Sequence, residues 1–167
     1  MASGDTLLAF TSAANVPPSS NPATLDSRNS HLVLDFDATT DEEAVFEGVL
    51  PENYAGGGLT VTLVWLASTA TSGNVVWQAA FERHQDDTDD LDSDSFAAFQ
   101  GSGAVATASA SGEPQYSNIT FTDGAQMDNL AAGESFRLKI RRDADDTSAT
   151  DSMTGDAELL RVHVKET

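Results

Sequence analysis

The sequence predicts an all-β protein: an antiparallel β-sandwich, jelly-roll-like, of about eight strands with an extended N-terminal arm. Three observations predict it. Apolar residues recur at every second position in segment after segment, the period of a strand with one buried face. These segments are rich in β-branched and aromatic residues, and turns containing Gly, Pro, Asn or Asp separate them at fairly even intervals. No long stretch carries apolar residues at helical spacing. The 167 residues suit a single sandwich domain over residues 31–167, preceded by an N-terminal strand and arm over residues 1–30. An immunoglobulin-like sandwich is the second architecture, since lacking cysteine removes its usual disulfide without excluding it.

The elements follow in chain order. Residues 12–30 are rich in Ser, Asn, Ala and Pro, and include Val16-Pro17-Pro18-Ser19-Ser20-Asn21-Pro22. Proline fixes φ and donates no hydrogen bond, so this stretch reads as an extended arm, either reaching a neighbour or laid on its own domain. Residues 31–37 alternate, with Leu32, Leu34 and Phe36 on one face, and residues 44–50 form a strand ended by Pro51. Gly56-Gly57-Gly58 is a turn. Residues 59–67 align Leu59, Val61, Leu63 and Trp65, while residues 75–83 align Val75, Trp77, Ala79 and Phe81. The short polar turn between them predicts a hairpin. Its outward partners Val64 and Val76 are apolar as well, so a second sheet and a neighbouring subunit are expected to cover its two faces.

Residues 85–95 form an acidic loop, and Phe96 and Phe99 return the chain to the body. Residues 104–110 are a small-residue strand or linker. In residues 116–122, Ile119 and Phe121 oppose Tyr116, Asn118 and Thr120. A helical turn capped by Asp123 carries Met127 and Leu130 inward. Residues 135–142 point Phe136, Leu138 and Ile140 one way, and Arg137, Lys139 and Arg141 the other. After a second acidic loop, residues 156–165 close the chain with Leu160, Val162 and Val164 inward.

Charge narrows the function. With 27 acidic and 8 basic residues the net charge is −19, which repels nucleic acid and anionic membranes. No apolar run approaches the ~20 residues that span a bilayer. The opening Met1-Ala2-Ser3-Gly4-Asp5 has neither the basic residues nor the apolar run of a secretory signal. Without cysteine there are no disulfides, zinc thiolates or thiol nucleophiles.

Catalytic signatures are missing. His31, His84 and His163 are far apart, and no H-E-x-x-H, G-x-S-x-G, P-loop or dinucleotide fingerprint occurs. A carboxylate pair at glycosidase spacing is expected by chance among 27 acids. The protein is therefore expected to be no enzyme and to need no cofactor. Calcium is the one candidate ion, at Asp86, Asp87, Asp89, Asp90, Asp92 and Asp94, because close carboxylates suit a hard cation. The run lacks the EF-hand glycine and glutamate, so a solvated loop is the plainer reading, as it is for Asp143, Asp145, Asp146 and Asp151. Both loops at one end of the sandwich could share an ion.

Six of the eight basic residues, Arg137, Lys139, Arg141, Arg142, Arg161 and Lys165, fall in the last two strands. They either pair with acids across strands or form a basic face for an acidic neighbour. Interface candidates are thus Val16, Pro17, Pro18, Pro22, Val64, Val76, Arg137, Lys139 and Arg141. Trp65 and Trp77 read as core. If one were exposed beside Tyr54 or Tyr116, it would offer a platform for a sugar ring.

The segments Tyr54-Ala55-Gly56-Gly57-Gly58-Leu59-Thr60-Val61, Thr69-Ala70-Thr71-Ser72-Gly73-Asn74-Val75-Val76-Trp77 and Ala80-Phe81-Glu82-Arg83, with Ala23-Thr24-Leu25-Asp26 and Leu32-Val33-Leu34-Asp35-Phe36-Asp37, resemble tailed-bacteriophage virion proteins. The similarity runs along the whole chain. It implies a jelly-roll capsid decoration (cement) protein, with no catalytic residue. Such a protein is a homotrimer on the capsid exterior, made in the host cytoplasm, that stabilises the major capsid protein lattice. A tail or fibre component, or a glycan-binding β-sandwich module, is the alternative.

Overall fold

The computed structural model describes residues 3–167, so Met1 and Ala2 of the segment read for a leader lie outside the described residues. Ten strands form two antiparallel sheets packed face to face. In chain order they are β1 (Thr6–Thr11), β2 (Thr24–Arg28), β3 (His31–Phe36), β4 (Glu43–Val49), β5 (Leu59–Ala67), β6 (Asn74–His84), β7 (Gln100–Ala106), β8 (Gln115–Phe121), β9 (Ser135–Arg142) and β10 (Ala157–Glu166). The larger sheet runs β2-β3-β10-β5-β8, with β1 beside β10, and the smaller runs β4-β9-β6-β7.

The core lies where the alternation placed it. Leu59, Val61, Leu63 and Trp65 of β5 face Val75, Trp77, Ala79 and Phe81 of β6, all buried. The Trp65 and Trp77 rings sit 6.0 Å apart, and Phe36 meets Trp77 edge-on at 5.0 Å. Trp65 Nε1 donates to Ser117 Oγ at 2.8 Å, so its polar tip is satisfied inside the core.

Four expectations need correction. First, β5 and β6 are not a hairpin. β5 pairs with β10 and β8, β6 with β9 and β7, and residues 68–73 carry the chain from one sheet to the other. Both strands bury an alternating apolar face in the same core, so periodicity could not say which sheet each belongs to. Gly73 makes the crossing possible: its φ is +96°, and a Cβ there would sit 2.8 Å from the Met153 backbone. Second, the N-terminal segment is not separate from the sandwich: of the two courses open to the arm, it takes the one along its own domain. Val16 and Ala23 donate backbone hydrogen bonds to Val45 and Glu43 along the β4 edge, Pro22 bridges Glu43, and β2 then becomes an edge of the larger sheet. The boundary expected at residue 30 falls inside the β2–β3 hairpin. Third, Leu160 does not point inward with Val162 and Val164, because β10 bulges there; Leu159 takes the core position instead. Fourth, the turn at Ala125–Met127 buries Met127 and Leu130 as expected, but no Asp123 side chain caps it; Gly124 stands at its N-terminus.

Candidate functional site

The bulge in β10 decides what the outer face of the larger sheet displays. Leu159 pairs with Trp65 and Arg161 with Val64, so Leu160 is the extra residue. An uninterrupted strand that buries Leu159 would also turn Arg161, His163 and Lys165 inward. The extra residue reverses the alternation, burying Val162 and Val164 and turning the three basic side chains out. The bulge sits where two partners meet on one edge of β10: β3 pairs with residues 157–159, and β1 with residues 161–165. Buried Ser12 fastens this seam, its Oγ lying 2.8 Å from the Leu159 carbonyl and 3.2 Å from that of Leu160.

Register then sets the outer face in three rows across β8, β5 and β10: Tyr116–Val64–Arg161, Asn118–Thr62–His163 and Thr120–Thr60–Lys165. The central column, from β5, is short-chained, while Tyr116 and Arg161 stand beside it. The result is a shallow strip along β5, bounded by longer side chains of β8 and β10 and called the trough below. Its floor is shielded, with Val64 only 4% and Thr62 only 1% exposed, whereas Tyr116 on the bank is 61% exposed. Thr62 Oγ1 donates to Asn118 Oδ1 at 2.7 Å and so orients that amide. A hollow of about 300 Å³ opens at each end of the trough. One is lined by Arg28, His31, Leu66, Pro114 and Leu160, the other by Thr60, Thr62, Asn118 and Lys165. From Thr60 to Leu66 the trough is about 20 Å long at the usual strand rise.

The electrostatics are local. Burial lowers the His163 pKa, and the neighbouring Lys165 and Arg161 lower it further, so the imidazole is neutral at neutral pH. At the Leu66 end, Arg28 donates to the Ala67 and Ser68 carbonyls and pairs with Glu158 at 2.7 Å, tying the end of β2 to the end of β5 across β10.

Other expected residues are placed elsewhere. Val64 and Val76 are covered by their own chain. Arg137, Lys139 and Arg141 lie on the outer face of β9, but each is engaged within the chain: Arg137 with Glu82, Lys139 with Glu43 at 2.9 Å, Arg141 with Asp41 at 3.3 Å. Phe96 packs over Arg137 and Lys139, and Phe99 over Arg141 at 4.2 Å. Val16, Pro17 and Pro22 remain exposed beside β4, with Pro18 partly covered. Arg142, expected among the exposed cations, is fully buried. It holds Asp151 bidentately at 2.7 and 2.9 Å and donates to the carbonyls of Phe36, Met153 and Gly155.

The two acidic loops start from opposite ends of the β6–β9 ladder. In the first, Asp89 pairs with Arg83, while Asp86, Asp87, Asp90 and Asp92 are exposed and Asp94 is half-buried. Among the described residues, the convergent carboxylates are Asp41, Asp143 and Asp145, whose oxygens lie within 4.8 Å of one another. These three could hold a hard cation. Two of them already have other work: Asp143 accepts from Thr147 and Ser148 backbone and hydroxyl groups, and Asp41 accepts from the Ala144 and Asp145 amides. Burial would raise the Asp143 pKa, yet those donors hold it down to about 2.

No protein-family profile matches the sequence, and no curated protein matches it. A solved structure does match in fold: the CBM22-1 xylan-binding domain from Paenibacillus barcinonensis Xyn10C. The two share 9% identity, covering 99% of this chain and 96% of the other, with a TM-score of 0.51. The chain is a jelly-roll β-sandwich. At that identity the likeness speaks for the architecture, while the trough and its side chains are this chain's own.

Proposed function

We propose that this protein is a non-catalytic glycan-binding module that holds a segment of linear polysaccharide in the trough along β5. The observation that carries the reading is Tyr116, an aromatic ring 61% exposed on the outer face of the larger sheet, in one row with Val64 and Arg161 and between two surface hollows. An exposed aromatic supplies a flat apolar face at little conformational cost, suited to the C–H face of a sugar ring. Asn118, Thr60 and Thr120 supply hydroxyl and amide groups along the same face, with Thr62 orienting the Asn118 amide from beneath. The fold likeness to a xylan-binding domain supports the same class of ligand. Capsid decoration rests on the sequence resemblance alone. The Val16–Pro22 stretch that it would use for neighbour contacts is largely laid along β4.

Affinity electrophoresis of the full chain through gels containing different soluble polysaccharides tests this. At least one polysaccharide should retard the protein, and Tyr116→Ala should weaken that binding about tenfold or more. Retardation by none of them, or an unchanged Tyr116→Ala variant, would remove the reading.

A further inference from the structure

The chain has eight lysines and arginines against 27 acids, so an ion pair is the easiest arrangement for any cation to find. Six have one: Arg28 with Glu158, Arg83 with Asp89, Arg137 with Glu82, Lys139 with Glu43, Arg141 with Asp41 and Arg142 with Asp151. Arg161 and Lys165 form no ion pair among the described residues. Both stand on the outer face of β10, one on each side of His163, along the same bank of the trough. The β10 bulge is what turns them outward, so their exposure has a specific structural cause.

We infer that the trough takes a carboxylated glycan, a linear polysaccharide bearing uronic acids, whose carboxylates are met by Arg161 and Lys165 while a sugar ring packs on Tyr116. This deepens the glycan-binding reading and rests on it. The two cations are four residues apart on one strand, about 13 Å, so they would meet carboxylates on different sugars of one chain. Arg161 already donates one N–H to the Leu160 carbonyl at 2.7 Å, which fixes the guanidinium near its own strand. A guanidinium held in place loses little freedom when it engages a carboxylate. Because the net charge of −19 repels a polyanion over the rest of the surface, such a ligand is confined to this strip.

The experiment compares calorimetric titrations of the full chain with polygalacturonate, its fully methyl-esterified form, an uncharged xylan and polyglutamate. Esterification keeps the sugar and removes the charge, so this comparison needs no variant. Polygalacturonate should bind at least tenfold more tightly than its ester, and both Arg161→Gln/Lys165→Gln and Tyr116→Ala should lose most of that binding. Thermal melting of each variant should match the parent, since both cations are at the surface. Equal binding of acid and ester, or of xylan and polygalacturonate, would overturn the carboxylate inference and leave the glycan reading standing. Polyglutamate binding as tightly as polygalacturonate would overturn sugar recognition in favour of a bare polyanion contact. Binding of none of the four would overturn the inference, and the polysaccharide panel would then decide the glycan reading by itself.

Discussion

Three charges, Arg142 and Asp143 buried and Asp35 half-buried, show how single residues set the stability of the acidic end of the sandwich. Arg142 continues the inward row of Phe136, Leu138 and Ile140, a place where a charge survives only if all its donors are used. Its bonds to Asp151 and three carbonyls turn the loop over residues 143–155 from an acidic tether into a packed lid. Arg142→Met would leave Asp151 buried and unpaired, and we expect a loss of about 3–5 kcal/mol in urea unfolding. Adding Asp151→Asn should recover part of it; no recovery would mean that the carbonyl contacts dominate. Asp143 and Asp35 give opposite pH signatures. Asp143, held down to about 2 from 3.8, contributes stability above pH 4 that disappears as pH falls towards 2. Asp35 is raised to about 6, by burial first and then by the charges of Glu158, Asp26, Asp156 and Glu42. Its Oδ1 is buried without a hydrogen-bond partner. Its ionised form therefore opposes folding, a penalty absent below pH 4 and fully present above pH 6. Asp35→Asn should stabilise the protein by ~1–2 kcal/mol at pH 7, allowing for solvent screening, and by almost nothing at pH 4. Equal effects at the two pH values would refute the burial account.

At the scale of elements, β10 carries both the core and the site, and its bulge is the pivot between them. Ser12→Ala removes the hydroxyl that satisfies the Leu159 and Leu160 carbonyls at the β1–β3 seam. We expect a loss of about 1–3 kcal/mol. A looser seam should also weaken glycan binding, through misplacement of Arg161, while Tyr116 stays in position; an unchanged ligand affinity would show that the bulge is held by its strands alone. How legible each strand was follows from the same physics. β3, β5, β8 and β9 were read almost to the residue, because one or both of their faces pack on the core and alternation records it. β2 was not, β1 only as an N-terminal strand without bounds, and β7 only as a strand or linker displaced to residues 104–110. Thr24–Arg28 is nearly all exposed, and Gln100–Ala106 is rich in small residues. β1 owes its strand geometry to β10 at the far end of the chain, β7 to β6 across the first acidic loop, and β2 to its hairpin with β3. The bulge was invisible for a related reason: Leu159-Leu160 offers two equivalent apolar residues, and only pairing with β5 decides which is buried. Tyr116, Arg161 and Lys165 were each seen on polar faces, but nothing local could align them in register on one trough.

For the whole molecule, the same limit appears in the sheets and in the charge. Trp65 and Trp77 were expected in adjacent strands of one sheet, whereas they touch across the interface between two, so both report on sheet packing and neither on the trough. Tryptophan emission should be that of buried rings and stay unchanged on glycan binding. A ligand-dependent shift would place the site elsewhere. The charge produces two opposed responses to salt in one molecule. Its 27 acids repel one another in the compact state, and the Debye length shortens to about 10 Å as ionic strength reaches roughly 0.1 M, which screens that repulsion. Raising NaCl from roughly 20 mM to roughly 300 mM should therefore increase the melting temperature by a few degrees. Over the same range, binding of a carboxylated glycan should weaken, because the contacts of Arg161 and Lys165 are screened as well. Stability and affinity moving apart separates general self-repulsion from a local cationic strip. If both rose together, the ligand would be excluded by the protein's overall field, and the two cations would not govern its approach.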